Sequence, residues 1–215
     1  MTLPKFSSIV LDVDSTLCDI EGVDWLAKQR GEKVARQSAE LTQRAMAGEI
    51  PLETVYGQRL DLIRPTRQEI DQLGRIYVER IAPGAAATIG ALRDAGVRVV
   101  LVSGGLRRAI RPVAQLVGAS EADLNAVDVQ WDDAGAYRDF DRASPLATQT
   151  GKVDIVRRLN LPRPILAVGD GATDAAMRPV VDAFVAFTGF QRRDPVVAAA
   201  DGAITSFAEL EKLVL

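Results

Sequence analysis

Short, almost continuously apolar runs alternate with helical patterns along most of this 215-residue chain. Runs this apolar are typical of strands that are buried on both faces of a parallel sheet. The predicted strands are 9–11, 97–102, 164–168, 183–187 and a short edge strand at 203–204, and helical patterns fall at about 84–95, 106–117, 152–159, 173–178 and 206–214. This alternation predicts an α/β fold, with a Rossmann-like parallel-sheet core and helices on both faces.

Residues 21–80 interrupt the alternation. Apolar residues recur there at helical spacing, as in the set Leu52, Val55, Tyr56, Leu60 and Ile63, and no strand pattern is convincing. We therefore predict a small helical cap at 21–80, inserted after the first strand of a core that consists of 1–20 and 81–215.

Two further patterns concern the surface. In residues 125–140, Val127, Val129 and Trp131 alternate with polar residues before a turn at 133–135, which predicts a β-hairpin. Two groups of arginines are predicted to be solvated. The first is a helix face with Arg107, Arg108 and Arg111, and the second is the run Gln191-Arg192-Arg193.

The composition excludes several kinds of chemistry. The chain has no histidine, which excludes a Ser-His-Asp triad, a histidine nucleophile and a His-ligated zinc site. Its only cysteine, Cys18, cannot form an intrachain disulfide, so we expect a reducing, cytoplasmic location. The net charge of −3 does not indicate nucleic-acid binding, and no apolar run is long enough to span a bilayer. We therefore expect neither a nucleic acid nor a membrane as a partner. The sequence does not indicate the oligomeric state.

Two aspartates directly follow the first predicted strand, in the segment Asp-Val-Asp-Ser-Thr at 12–16. Ligands bind beyond the carboxyl ends of strands in open α/β sheets, and an extended chain would give Asp12 and Asp14 the same orientation. Two like charges this close are costly unless a cation or a proton relieves them. Oxygen ligands favour a hard divalent cation, and magnesium is expected where phosphate also binds.

Three more polar features follow strands or begin helices. Ser103-Gly104-Gly105 follows the second predicted strand, and a hydroxyl with glycine amides at a helix start forms an anion site. Lys152 lies near a helix start, where it can neutralise a phosphate. Residues 169–174, Gly-Asp-Gly-Ala-Thr-Asp, follow the third strand, and Asp170 can reach a metal held by Asp12 and Asp14. Each feature alone is typical of an ordinary turn, but the joint occurrence is specific.

With these four motifs the chain resembles the haloacid dehalogenase superfamily of phosphotransferases over nearly its whole length. The resemblance implies that Asp12 is the nucleophile and Asp14 the general acid/base. It also implies a magnesium ion held by Asp12, the main-chain carbonyl of Asp14 and Asp170, with Asp174 supporting the site. The phosphoryl oxygens would then be held by Ser103, Gly104 and Lys152.

The predicted cap resembles that of the phosphoserine phosphatase branch of this superfamily. Glu21 follows Asp12 by nine residues, as the glutamate of that branch does, and segments 45–48 (Ala-Met-Ala-Gly) and 58–60 (Gln-Arg-Leu) resemble its cap. The resemblance implies that Glu21 meets a substrate ammonium, that Arg59 meets a substrate carboxylate and that Thr173 also contacts the substrate. This chemistry suits a zwitterion, because arginine offers a bidentate fork to a carboxylate.

These features predict a Mg²⁺-dependent phosphoric monoester hydrolase. The resemblance implies that its substrate is a small phosphorylated amino acid, O-phospho-L-serine, which is cleaved through an aspartyl-phosphate in the last step of serine biosynthesis. The alternatives are the same chemistry on another small phosphorylated metabolite, transfer to an acceptor alcohol such as homoserine, and a non-catalytic metabolite sensor. The intact set Asp12, Asp14, Lys152 and Asp170 argues against a sensor, which need not retain these residues.

Overall fold

A parallel sheet of six strands forms the centre of the computed structural model, which describes residues 4–46 and 49–215. In chain order the strands are β1 (Ser8–Leu11), β2 (Arg98–Leu106), β3 (Leu124–Val127), β4 (Val129–Trp131), β5 (Tyr137–Phe140), β6 (Ile165–Gly169), β7 (Ala183–Phe187) and β8 (Gly202–Ile204). The main sheet has the order β3-β2-β1-β6-β7-β8, and β4 and β5 pair separately as an antiparallel hairpin. The predicted α/β fold class is confirmed.

Ten α-helices surround or extend the sheet within the described residues. They are α1 (Gly22–Gln29), α2 (Glu32–Met46), α3 (Leu52–Ile63), α4 (Arg67–Glu79), α5 (Ala85–Asp94), α6 (Arg107–Leu116), α7 (Gly151–Leu159), α8 (Ala172–Ala175), α9 (Asp194–Ala199) and α10 (Phe207–Val214). Short 3-10 turns occupy Glu121–Asp123, Pro145–Ala147 and Arg178–Val180. No helix of the described ranges combines the length and the apolar character that a bilayer span requires.

Strand β1 occupies a central position, and every one of its residues is buried. It pairs with β2 on one side, where Val10 faces Val100, and with β6 on the other, where Val10 faces Ala167. The order of the strands therefore reverses at β1, and such a switch point opens a crevice at the carboxyl ends of the strands. The loops that follow β1, β2 and β6 all converge on this crevice.

Helices α1 to α4 lie between β1 and β2 in the sequence, in the segment where the cap is predicted. The chain leaves the core and returns to it along adjacent paths, because the amide of Asp19 donates to the carbonyl of Arg80 at 2.9 Å and that of Ala82 donates to the carbonyl of Leu17 at 2.8 Å. Helix α4 packs closely on α6, since a Cβ on Gly74 would lie 3.3 Å from the carbonyl of Ala109. The division into core and cap agrees with this arrangement and stays a prediction.

The structure corrects three predicted elements and adds one that was not predicted. Residues 124–127 form β3 of the main sheet, so Val127 does not belong to the hairpin, which is limited to β4 and β5. The alternation of apolar residues continues across the connection and concealed this boundary. Strand β2 extends through Ser103, Gly104 and Gly105 to Leu106, so these residues do not begin a helix. Helix α9 was not predicted, and the helix predicted at 173–178 is shorter, at Ala172–Ala175.

The predicted solvated arginines divide into two groups. Arg108 is exposed and pairs with Asp71, and Arg111 is partly exposed and pairs with Glu121. Arg107 is largely buried, because its guanidinium donates to the main-chain carbonyls of β3, including that of Ala126 at 3.1 Å. Of the predicted cap motif at 45–48, residues 47–48 and the side chain of residue 46 lie outside the described part of the structure.

Glu69 joins three helices at one end of the predicted cap. Its carboxylate accepts from the amide of Thr66 at 2.8 Å, which closes a capping box at the start of α4, and it pairs with Arg30. Arg30 in turn donates to the carbonyls of Ile63 and Arg64 at the end of α3. The hydrogen bond from Arg30 is the main cause that lowers the pKa of Glu69 from 4.5 to about 2.

We predict that Glu69→Gln destabilises the protein at neutral pH by about 1–2 kcal/mol, because a charge-assisted hydrogen bond is lost. The pKa of Glu69 is lower in the folded state, so its stabilisation is complete above about pH 4.5 and disappears as the pH falls towards 2. Urea unfolding at a series of pH values measures this difference. Glu49→Gln, which breaks an exposed pair with Arg44, is the control and should change stability little. A pH-independent difference for Glu69→Gln would contradict the account.

Candidate active site

A cavity of about 220 Å³ lies at the carboxyl ends of β1, β2 and β6. It is smaller than the roughly 300–1,000 Å³ of pockets for drug-sized ligands, so it suits a small ligand. The structure brings all the predicted site residues to its wall, namely Asp12, Asp14, Glu21, Arg59, Ser103, Gly104, Lys152, Asp170, Thr173 and Asp174. Residues from the predicted cap and from the core therefore meet around one space, although they are far apart in the sequence.

Three carboxylates and one lysine form a buried charged cluster at the base of this cavity. Carboxylate oxygens of Asp12, Asp170 and Asp174 lie within 4.8 Å of one another. The Nζ atom of Lys152 lies 2.7 Å from Oδ1 of Asp12 and 2.7 Å from Oδ1 of Asp174. Burial and the charge of Asp12 raise the pKa of Asp174. Burial alone would lower the pKa of Lys152, but Asp12 and Asp174 outweigh it and raise that pKa.

This cluster fits a divalent metal ion. Its donors are oxygen atoms, as magnesium prefers, and its three carboxylates outnumber the two cations that contact them, Lys152 and Arg193. Oδ2 of Asp170 is buried, and the guanidinium of Arg193 lies against it. The side chain of Asp14 is not part of the cluster. If Asp14 binds the ion, it does so through its main-chain carbonyl, as the resemblance implies.

The carboxyl group of Asp14 has its own surroundings. Its Oδ1 atom accepts from the hydroxyl of Tyr77 at 2.6 Å and from the amide of Gly22 at 2.7 Å, and its Oδ2 atom accepts from the hydroxyl of Ser103 at 3.2 Å. Ser15 adopts a left-handed conformation with φ of 52°, so the extended chain ends at Asp14. Burial, followed by the charges of Glu21 and Asp12, raises the pKa of Asp14 to about 7.

The end of β2 supplies a hydroxyl and two glycines to the cavity wall. The hydroxyl of Ser103 accepts from the amide of Gly105 at 2.9 Å, and the hydroxyl of Tyr56 donates to the carbonyl of Gly104 at 2.8 Å. Because α6 begins only at Arg107, these amides belong to a strand end and do not share the dipole of a helix start. A Cβ on Gly105 would lie 2.7 Å from Oδ2 of Asp14, so glycine leaves room for the acid.

Glu21 and Arg59 lie on the part of the wall formed by the predicted cap. Glu21 accepts from the hydroxyl of Ser15 at 2.8 Å, and burial raises its pKa. Arg59 donates through Nε to the hydroxyl of Ser38 at 2.8 Å, and its Nη2 pairs with Asp24. The cavity wall thus includes one acidic and one basic side chain, which suits a ligand that carries both a positive and a negative charge.

Arg193 is a site residue that the sequence did not reveal. The structure contradicts the solvated position expected for it, because its guanidinium lies against the carboxylate of Asp170 and donates to Glu21 at 3.2 Å. Its neighbour Arg192 is exposed, as expected, and pairs with Asp194. The sequence position of Arg193 could have indicated this role, because the residue follows strand β7 at the same edge of the sheet as the motifs after β1 and β6.

A close approach at the end of β6 explains one glycine of the fourth motif. A Cβ on Gly169 would lie 2.1 Å from Cγ of Asp174, a distance that real contacts do not show. Only glycine therefore allows Asp174 to fold back under the strand and to pair with Lys152.

The fold and the charged cavity define a hydrolase of the haloacid dehalogenase-like class. The family described as haloacid dehalogenase-like hydrolase matches residues 6–179. The chain belongs to this family.

Named relatives agree with that assignment. The phosphoserine phosphatase of Bos taurus is 34% identical over 206 residues, which cover 94% of this chain and 91% of the relative. Among solved structures, a substrate-bound phosphoserine phosphatase complex has a TM-score of 0.81 and 25% identity and covers 98% of this chain and 99% of its own. A phosphoserine phosphohydrolase-like protein from Francisella tularensis has a TM-score of 0.86 at 23% identity, covers 97% of this chain and 100% of its own, and supports the fold.

Proposed function

We propose that this protein is a magnesium-dependent phosphomonoesterase that hydrolyses O-phospho-L-serine to L-serine and phosphate. The observation that carries the proposal is the joint presence, around one small cavity, of Asp12, Asp14 and Lys152 with Glu21 and Arg59. The first three suit phosphoryl transfer, and the last two suit the ammonium and carboxylate groups of an amino acid. The relatedness to phosphoserine phosphatases supports the same substrate.

In the proposed reaction an oxygen of Asp12 attacks phosphorus and forms an aspartyl-phosphate. The bond between phosphorus and the serine oxygen breaks, and Asp14 gives its proton to that oxygen. A water molecule then attacks the phosphoryl group and gives a proton to Asp14. The bond between Asp12 and phosphorus breaks, phosphate is released, and both aspartates return to their initial state. A pKa of about 7 allows Asp14 to carry a proton at neutral pH and to accept one later.

The phosphoryl oxygens would be held by the end of β2 and by Lys152. The hydroxyl of Ser103 and the main chain of Gly104 line the cavity, and Lys152 supplies positive charge beside Asp12. Thr173 lines the same wall and offers a further hydroxyl. These groups offset the negative charge of the phosphoryl group as the bond to the leaving oxygen breaks.

Asp12 and Asp170 would hold the metal ion with the main-chain carbonyl of Asp14, and Asp174 would support the site through Lys152. When bound, a magnesium ion supplies charge compensation and a fixed orientation for the phosphoryl oxygens. The oxygen donors favour magnesium over softer metals.

We predict that a chelator abolishes phosphate release and that added Mg²⁺ restores it, whereas Ca²⁺, with its larger and more flexible coordination, supports it poorly. Mg²⁺ should also raise the melting temperature of the protein, because it binds the folded state. Asp170→Asn should lose this thermal shift, whereas the exposed control Asp94→Asn should keep it. Full turnover in excess chelator would contradict the metal assignment.

The carboxylate and ammonium groups of the substrate would contact charged side chains of the cavity wall. Arg59 would bind the carboxylate and Glu21 the ammonium group, and Arg193 adds a positive charge beside Glu21. A phosphate-release assay across phosphorylated metabolites, with and without homoserine as acceptor, distinguishes the alternatives. It separates hydrolysis of phosphoserine from hydrolysis of another metabolite and from transfer to the acceptor. A non-catalytic sensor would release no phosphate.

A cytoplasmic location fits the single free and buried Cys18.

We predict that Arg59→Ala lowers kcat/KM for O-phospho-L-serine by about ten- to a hundredfold. A charge-assisted hydrogen bond contributes about 1.5–3 kcal/mol, and each 1.4 kcal/mol is about tenfold. The same change should barely affect p-nitrophenyl phosphate, which has no carboxylate. Arg36→Ala, an exposed arginine of α2 outside the cavity, is the matched control. An equal loss on both substrates would mean that Arg59 supports the fold and does not recognise the substrate.

A further inference from the structure

Tyr77 lies in α4, far in sequence from the aspartates of the first motif, and its side chain is fully buried. Its hydroxyl donates to Oδ1 of Asp14 at 2.6 Å. Tyr77 is not among the residues that line the cavity, so it does not touch a bound substrate. Its only route to the chemistry is through Asp14.

The two oxygens of Asp14 have different surroundings. Oδ1 accepts two hydrogen bonds, one from Tyr77 and one from the amide of Gly22 at 2.7 Å. Oδ2 lies on the side of Ser103 and Gly105, both of which line the cavity, and the hydrogen bond it accepts among the described residues is the longer one of 3.2 Å from Ser103. Two donors on Oδ1 leave it no free lone pair in good geometry, so a proton on this carboxyl group is favoured on Oδ2.

We propose that Tyr77 is a positioning residue for the general acid: together with the amide of Gly22, it fixes the carboxyl group of Asp14 so that Oδ2 carries the proton and presents it to the leaving oxygen. In the first step, the proton on Oδ2 moves to the oxygen of the departing alcohol while the bond between that oxygen and phosphorus breaks. In the second step, the same atom takes a proton from the attacking water. This inference rests on the proposed function of the site.

The hydroxyl of Tyr77 is packed closely between Asp14 and the start of α1. A Cβ on Gly22 would lie 2.2 Å from the Tyr77 hydroxyl oxygen, so the hydroxyl is held directly against the start of α1. The carbonyl of Tyr77 accepts from Cys18 at 3.4 Å, which ties this turn of α4 to the chain that follows the first motif. Because Gly22 and Tyr77 belong to opposite ends of the predicted cap, the acid is oriented only when both ends are in place.

The two possible roles of the Tyr77 hydroxyl, stabilising the fold or positioning Asp14, predict different effects of its removal on the rate of the first step. A leaving alkoxide such as that of serine needs a proton, whereas p-nitrophenolate leaves without one. Loss of positioning therefore slows the first step with an alkyl phosphate and spares it with p-nitrophenyl phosphate. General structural damage slows both, and loss of substrate binding raises KM.

The test is Tyr77→Phe, with the rate of phosphoenzyme formation measured in single-turnover experiments. We expect a fall of about tenfold or more with O-phospho-L-serine, because correctly placed acids contribute about a hundredfold or more. We expect a change of less than about twofold with p-nitrophenyl phosphate, and an unchanged KM. Tyr137→Phe is the matched control, since its hydroxyl lies 3.4 Å from Asp61 outside the cavity, and it should leave both rates unaltered.

Gly22→Ala provides a second variant, because its methyl group would displace the hydroxyl of Tyr77 from Asp14 without removing it. It should show the same selectivity between leaving groups, and it replaces the first test if Tyr77→Phe unfolds. Equal slowing of both substrates, or no slowing of either, would overturn the inference. If the wild-type protein cleaves p-nitrophenyl phosphate but not O-phospho-L-serine, the proposed substrate fails, and the comparison is made with phosphoethanolamine as the alkyl phosphate.

Discussion

A buried lysine between two aspartates is the interaction on which this site depends. Lys152 lies 2.7 Å from both Asp12 and Asp174, and all three side chains are almost excluded from solvent. Burying an unpaired ion costs several kcal/mol, so removal of Lys152 would leave Asp12 and Asp174 without their shared counter-ion. The three residues come from the end of β1 and from helices α7 and α8, so their pairing holds these elements in register. The same contact orients the oxygen of Asp12 that would attack phosphorus.

The parallel sheet and the aspartates that follow its strands were predictable because their signals are local. Apolar runs identified β1, β6 and β7 to within a residue or two, and the polar residues that follow a buried strand necessarily collect at its carboxyl end. Asp12 and Asp170 were found in this way. Glu21 and Arg59 came from resemblance, since nothing in a helical pattern indicates which polar side chain faces a cavity.

Contacts that depend on the fold were not predictable. Tyr77 falls at helical spacing from Ile70 and Leu73 in the segment 21–80, which indicates only a buried helix face, and the packing of α4 beside Gly22 brings its hydroxyl to Asp14. Arg193 matched a solvated loop, and its contact with Asp170 requires β7 to lie next to β6. The division of residues 124–140 between β3 and the hairpin was missed because alternation has the same period in both.

The central claim is that Asp12 becomes phosphorylated during turnover, and trapping of the phosphoenzyme tests it most directly. The wild-type protein is mixed with O-phospho-L-serine and Mg²⁺, quenched in acid within the first turnover, and digested for mass spectrometry. The account predicts one phosphoryl group on the peptide that contains Asp12, located on that residue, and no such adduct or turnover with Asp12→Asn. Rapid hydrolysis without a phosphorylated Asp12, or a phosphoryl group on another residue, would contradict it.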